Sequence, residues 1–274
     1  MEEIKVVSIT KDKAEHFASI IPDNIITLLK KGKPVTAFAA ITENQVIGAL
    51  SGAVEGGDFR IDSIYVVPGF RRKGVGTALM NSLKEILEDE DYLIIAEYTA
   101  VTDEDLILWP FFTSCFFEED MDFSPYYCKS KLKDFRVRIK NSGILHEDIK
   151  ALSRLSEDDI KRAWNSGLDV TMDFLTSKSL DRDASFVVLD RGIISSGCLV
   201  ENIQEDMIRI HSVEAGTVDV EKLLKHLAYT EVDLKEKYSE DTEIIFLVGN
   251  PDFEKFAEYI FKGYEIISHR FTFY

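Results

Sequence analysis

Residues 61–87 read IDSIYVVPGFRRKGVGTALMNSLKEIL. The alternating apolar stretch up to Val67 has the period of a strand, Pro68-Gly69 breaks it, and a basic glycine-containing loop leads into a helical pattern. Leu79, Leu83, Ile86 and Leu87 recur at i, i+4, i+7 and i+8, which predicts a buried stripe along that helix. Gly74 and Gly76 let the backbone come close to a ligand, and the free amides of the helix's first turn carry partial positive charge. Such a helix start binds phosphate, and Arg71, Arg72 and Lys73 add cationic side chains, so a diphosphate would meet backbone donors and charge together. A GxG after a strand is a weak signal by itself, and an ordinary basic turn opening a helix would look the same.

The wider pattern is more specific. Arg71-x-x-Gly74-x-Gly76, preceded by Tyr65-Val66-Val67-Pro68 and followed by Thr77-Ala78-Leu79, closely resembles the acyl-CoA-binding motif of the GNAT (GCN5-related) N-acetyltransferase family. Residues 1 to 133 share that family's order of elements: strand, helices, antiparallel strands, motif strand, motif helix, strand, helix and closing strands. The dinucleotide fold does not fit, because its GxGxxG follows the first strand, whereas two antiparallel strands precede this loop. The resemblance implies a mixed α/β (α+β) fold with a splayed, mostly antiparallel sheet flanked by helices. It also implies acetyl-CoA as cosubstrate, without a metal. The main chain at Val66 and Val67 would pair with the pantetheine arm, and the amides of Arg72, Lys73, Gly74, Val75, Gly76 and Thr77 would wrap the pyrophosphate, with Arg71 at the motif's first position. The thioester would lie where the motif strand parts from the next strand, Tyr92 to Glu97, near a backbone amide able to stabilise an oxyanion.

Outward from the motif, the chain repeats itself about 149 positions on. Arg60-Ile61-Asp62-Ser63-Ile64 is echoed by Arg209-Ile210-His211-Ser212-Val213. Phe38 to Leu50 reads as two strands about a turn at Glu43 to Asn44, and its counterpart begins at Phe186 with a turn at Asp190 to Gly192. Opening strands are expected at Ile4 to Ile9 and Phe135 to Ile139, and Tyr92 to Glu97 pairs with Glu243 to Val248. Leu108 to Phe116 pairs with Phe256 to Tyr264, each a helix running into a strand. An ordered series of this kind indicates duplication, hence two tandem GNAT-like domains, 1–134 and 135–274, with a strand around Tyr126 to Lys133 closing the first. The second copy has no phosphate loop: Glu-Ala-Gly-Thr-Val-Asp-Val-Glu follows Val213 and no basic residue comes before Lys222. Acidic side chains there would repel a diphosphate.

Acyl transfer to an amine needs a base for the amine and is helped by an acid for the leaving thiolate. Asp62 on the motif strand and Glu97 at the end of the next are the candidate bases; a solvent-facing strand residue and a carboxylate paired to a cation are their alternatives. For the acid, the family often places a tyrosine on the helix after the second strand. The first copy has Phe111 there, and the second has Tyr259. Tyr98, Tyr126 and Tyr127 remain as thiolate partners in the first half, Tyr98 lying next to Glu97. Histidine occurs five times and none adjoins a cysteine in sequence, so direct transfer is preferred to an acyl-enzyme.

Composition narrows the rest. With 49 acidic and 32 basic residues the formal charge is -17, which disfavours nucleic acid and suits an amine, although an acidic surface also serves solubility. The N-terminal MEEIKVVSIT lacks a basic n-region, no apolar run approaches membrane-spanning length, and three cysteines without CxxC spacing fit a reducing cytoplasm. The reading is an N-acetyltransferase acting on a small-molecule or peptide amine. Its second copy would shape the acceptor pocket or pack a homodimer. A noncatalytic acyl-CoA-binding or sensing module is the alternative.

Overall fold

The computed structural model describes residues 3–43, 45–138, 149–164, 166–214, 220–249 and 251–274. In chain order the first half contains β1 (Lys5–Ser8), α1 (Asp23–Lys30), β2 (Val35–Thr42), β3 (Gln45–Glu55), β4 (Asp58–Val66), α2 (Val75–Leu87), β5 (Ile94–Thr99), α3 (Leu108–Ser114) and β6 (Glu118–Asp120). There follow β7 (Tyr126–Lys131), β8 (Ile149–Ala151), α4 (Glu157–Ala163), α5 (Met172–Leu175), β9 (Phe186–Asp190), β10 (Ile193–Gln204) and β11 (Met207–Glu214). The chain ends with α6 (Val220–Lys237), β12 (Glu243–Val248), α7 (Pro251–Ile260), β13 (Glu265–Ile266) and β14 (Ser268–Phe273).

These elements form two compact units, Met1–Phe123 with Ser268–Tyr274, and Ser124–Ile267. The first sheet runs β1-β2-β3-β4-β5-β14-β6 and the second β13-β7-β12-β11-β10-β9-β8. Each is antiparallel among its described strands except for one central pair, β4 with β5 and β11 with β12. The repeat read from the sequence is therefore a repeat of architecture. The hairpins form where expected; Asn44 of the first turn lies outside the described residues. The second turns at Arg191 and Gly192, both at positive φ, the conformation of a two-residue hairpin loop whose twist matches the strands it joins.

Two closing strands differ from the expectation. Tyr126 to Lys133 does not close the first sheet: β7 pairs antiparallel with β12 from Tyr126↔Val248 to Lys131↔Glu243. Its buried residues Cys128 and Leu132 join the apolar core of Ile244, Phe246 and Val248. The first sheet is completed instead by β14, the last strand of the chain, between β5 and β6. The units accordingly do not divide at Asp134. Short alternating strands of this kind carry one apolar face that several sheets could bury, so local pattern specifies the face and not the partner.

Smaller differences have similar causes. Phe135 makes a single bridge to Phe261 and is fully buried, while the strand that pairs with β9 is Ile149–Ala151; Ile139 lies outside the described residues. On α2 the buried face is Val75, Leu79, Met80 and Leu83, and Ile86 is turned outward. One side of the first sheet packs that face with Phe38, Phe59, Phe112 and Phe271, and Ile25, Ile26 and Leu29 of α1 cover the other.

In the second unit a buried carboxylate joins a turn to the end of α6. The side chain of Asp181 is 1% exposed, and it accepts hydrogen bonds from Lys237 Nζ at 2.6 Å, Tyr238 Oη at 2.7 Å and the Ala184 amide at 3.3 Å. Burial alone would raise its pKa, but these bonds and the Lys237 charge outweigh burial and hold it below the ordinary value. A carboxylate depressed in the folded state contributes stability above its unfolded pKa, near 4, and that contribution fades as pH falls through the folded value. Asp181→Asn is expected to cost about 2–3 kcal/mol at pH 7, and the stabilities of variant and wild type by urea unfolding should converge as pH falls through the lowered folded pKa of Asp181.

Candidate acyl-CoA site

The motif lies where β4 and β5 part company. Their parallel pairing runs only from Phe59↔Ile94 to Ile61↔Ala96, although β4 continues to Val66 and β5 to Thr99. Asp62 is skipped at an irregularity in the β3–β4 register, and from Ser63 onward β4 keeps its pairing with β3 on one side, ending with Gly48↔Val66 and the Val67 amide donating to the Ile47 carbonyl at 2.9 Å. The opposite edge is not paired with β5, so an extended chain could add to it there.

That open edge leads to the basic loop. Arg72 and Gly74 both have positive φ, 61° and 82°, so the backbone alternates hand and turns successive amides toward one concavity. Gly74 caps α2 in the left-handed region, where a side chain would be strained. The Ala78 amide donates to the Gly74 carbonyl at 2.9 Å, so the amides of Val75, Gly76 and Thr77 precede the first bond of the helix and are left for an external acceptor. Arg71 is partly committed: its Nε donates to the Val66 carbonyl at 3.2 Å and its Nη1 lies 3.6 Å from Glu104. Arg72 is exposed, and Lys73 lies over the Phe70 ring at 5.1 Å. Gly76 has a reason beyond ligand approach. A Cβ there would sit 2.9 Å from the Phe111 ring, so the glycine lets α3 pack on α2.

The three catalytic candidates occupy distinct surroundings. Asp62 lies just past the last β4–β5 pair; partial burial and the Glu55 carboxylate push its pKa up although its side chain still reaches solvent. Glu97 accepts from Arg60 Nη1 at 3.2 Å and from Arg270 Nε at 2.5 Å, with Arg270 also 3.6 Å from Asp120. Tyr98 stacks among Phe112, His269 and Phe271, and burial pushes its phenol up to about 12. Its hydroxyl is buried with no hydrogen-bond partner among the described residues.

Two groups that sequence reasoning missed come from β14. His269 stands opposite Tyr98 in the register, with ring centroids 5.1 Å apart, and its Nδ1 is 2.7 Å from Glu119, which also accepts from Trp109 Nε1 at 2.8 Å. Burial would raise Glu119, but the bonds from His269 and Trp109 and the His269 charge prevail and hold it low. Arg270 stands opposite Glu97 on the other face. Nothing local in SHRFTF tells which sheet receives it. Elsewhere, Tyr259 of the second unit is exposed, with its hydroxyl donating to the Arg138 carbonyl at 2.8 Å. The segment that replaces the phosphate loop there includes residues 215–219, outside the described residues. The three cysteines are free and buried. Among the described residues no helix is long and apolar enough to cross a membrane.

Consistent with this geometry, residues 8–116 match the profile of the acetyltransferase (GNAT) family. The first unit therefore carries a domain of that family, and the chain as a whole has a tandem GNAT fold. A tandem GNAT protein from the clavulanic acid biosynthesis pathway superposes with a TM-score of 0.51 at 15% identity, covering 99% of this chain and 98% of that one. A protein of Enterococcus faecalis V583, called a probable N-acyltransferase, superposes with a TM-score of 0.52 at 10% identity, covering 99% of this chain and 72% of that one. At such identities both likenesses are of fold. No curated protein matches the chain in sequence.

Proposed function

We propose that the protein is an N-acetyltransferase that moves the acetyl group of acetyl-CoA directly to an amine, with its coenzyme site in the first unit. The observation that carries this reading is the open edge of β4, Asp62 to Val66, leading into the positive-φ loop and the free amides that start α2, within a unit of the GNAT family. The pantetheine arm would pair along the open edge of β4 at Val66 and not at Val67, whose amide and carbonyl are already bonded to Ile47 and Phe70, and the amides from Arg72 to Thr77 would hold the pyrophosphate beside Arg71, Arg72 and Lys73. The amine nitrogen attacks the thioester carbonyl, the C–S bond breaks, and the thiolate takes a proton. Asp62 is the base, because Glu97 already faces two guanidinium groups and is suited to positioning. Tyr98 keeps its proton at neutral pH and has no other partner for it, so it is the donor to the thiolate. A small-molecule or peptide amine suits the net charge of -17, and a cytoplasmic setting suits the acetyl donor.

The test is calorimetric titration with acetyl-CoA, followed by free-thiol release on addition of a panel of primary amines. Binding with amine-dependent thiol release supports the enzyme. Binding without release supports the second reading, a coenzyme-sensing module. The arginine-neutralised Glu97 and the phenylalanine at the family's tyrosine position favour that second reading. Absence of binding overturns both. Tyr98→Phe separates chemistry from packing: it should leave stability unchanged or raise it by about 1 kcal/mol, since an unpaired buried hydroxyl is removed. If Tyr98 protonates the thiolate, kcat should fall at least about tenfold with little change in KM, and an unchanged kcat would remove Tyr98 from the chemistry.

A further inference from the structure

We propose that the second unit has a binding site of its own, at the parted ends of β11 and β12, for a small amine with an apolar body. The pairing of these strands runs from Met207↔Glu243 to Ile210↔Phe246 and stops there. Beside the gap lies a cavity of about 340 Å³, at the lower end of the range for small-molecule sites. Its buried side is apolar and aromatic, with Leu227, Phe246 and Phe261, and its polar lining includes Asp169, His211, Ser212 and Tyr127, of which Asp169 and His211 are the titratable groups that distinguish an amine from an acid.

His211 is what gives this cavity a chemical preference. It takes the strand position that Asp62 holds in the first unit, and its Nε2 lies 3.0 Å from Glu201 Oε2. Glu201 also faces Arg209 Nη1 at 3.6 Å and Ser179 Oγ at 3.3 Å, so every neighbour treats it as an acceptor. Nε2 therefore carries the ring proton, and Nδ1 presents a lone pair. No hydrogen bond reaches Nδ1 among the described residues, and the ring of Phe174 meets the imidazole at 69° and 4.9 Å, fixing its orientation. Burial lowers the histidine pKa more than Glu201 raises it, which keeps the ring neutral at pH 7. A lone pair in a cavity that the exposed carboxylate of Asp169 also lines receives an N–H donor or an ammonium and repels a carboxylate. The aromatic wall takes the apolar body.

This site is independent of the first unit's use of acetyl-CoA. Its test is titration of the full chain at pH 7.5 with 2-phenylethylamine and, separately, with 3-phenylpropionate, which has a similar body and opposite charge. Saturable binding of the amine and none of the acid is expected, with affinity for the amine falling roughly tenfold in His211→Ala, the loss of one hydrogen bond. Because that variant could be destabilised, its melting is followed by circular dichroism. Independently, the ring-nitrogen resonances of His211 are recorded in the wild type, where the amine should shift Nδ1. Failure of the amine to bind, equal binding of the acid, or an unmoved His211 Nδ1 overturns the proposal, as does undiminished affinity in a folded His211→Ala variant.

Discussion

Truncation after Ile267 is expected to unfold the first unit while leaving the second folded. The seven residues lost include β14, which is interior to the first sheet and holds six register positions against β5, from Ser268↔Thr99 to Phe273↔Ile94. Phe271 is fully buried, stacked on Phe112 at 5.4 Å and adjoining Tyr98 at 6.2 Å. Deleting a buried phenylalanine side chain alone costs about 3–5 kcal/mol, against a stability of about 5–15 kcal/mol for an ordinary domain. Losing the strand's backbone pairing as well exceeds what the unit can spare. The two tryptophans make the outcome readable. Trp109 belongs to the first unit, edge-on to Phe271 at 6.4 Å, and Trp164 belongs to the second. In single-tryptophan versions the emission of Trp109 should shift to that of solvent-exposed indole, while Trp164 keeps its urea transition. Phe271→Ala should give a graded form of the same result, and a truncated chain with an unaltered Trp109 would show that β14 is dispensable to the sheet.

Arg72→Glu/Gly74→Glu is expected to weaken acetyl-CoA binding by at least about 100-fold, roughly 3 kcal/mol. The pair replaces one positive charge by a negative one and adds a second negative charge at the mouth of the concavity. A unit charge at about 4 Å from another is worth about 4 kcal/mol at an effective dielectric of 20, and the exposure of both positions reduces that to a fraction. Gly74 has no heavy atom within 4 Å of a built Cβ, so the substitution meets no clash, although a left-handed residue other than glycine costs about 1 kcal/mol. Calorimetry, with far-ultraviolet circular dichroism to establish folding, checks the result. Unchanged affinity in a folded variant would remove the loop from the coenzyme site. Loss of affinity that Arg72→Ala alone reproduces only in small part would identify repulsion, rather than a missing arginine contact, as the larger effect.

Whatever depends on neighbours in the chain is legible in the amino-acid sequence alone. The strand–loop–helix from Ile61 to Leu87, the two hairpins and the echo of Arg60–Ile64 at Arg209–Val213 follow from periodicity and spacing over short distances, and the family is legible there only through the resemblance of the Arg71–Gly76 motif. Such patterns survive because one turn of helix or one strand-to-strand turn involves only local backbone geometry. What depends on partners far away in the chain is not legible. Glu97 reads as a free base because its second guanidinium, on Arg270, lies 173 positions on in the chain, and Gly76 reads as a phosphate residue alone although Phe111 packs against it. The assignment of Tyr126–Lys131 and Ser268–Phe273 to their sheets is likewise a tertiary decision. Each strand offers an apolar face and two unsatisfied edges, and those requirements are met by whichever sheet supplies a matching core and an open ladder. Sequence thus determined the strand–loop–helix of the motif and the two hairpins; packing decided which strands stand beside them, because edge hydrogen bonds carry no residue code and only the buried faces choose between partners.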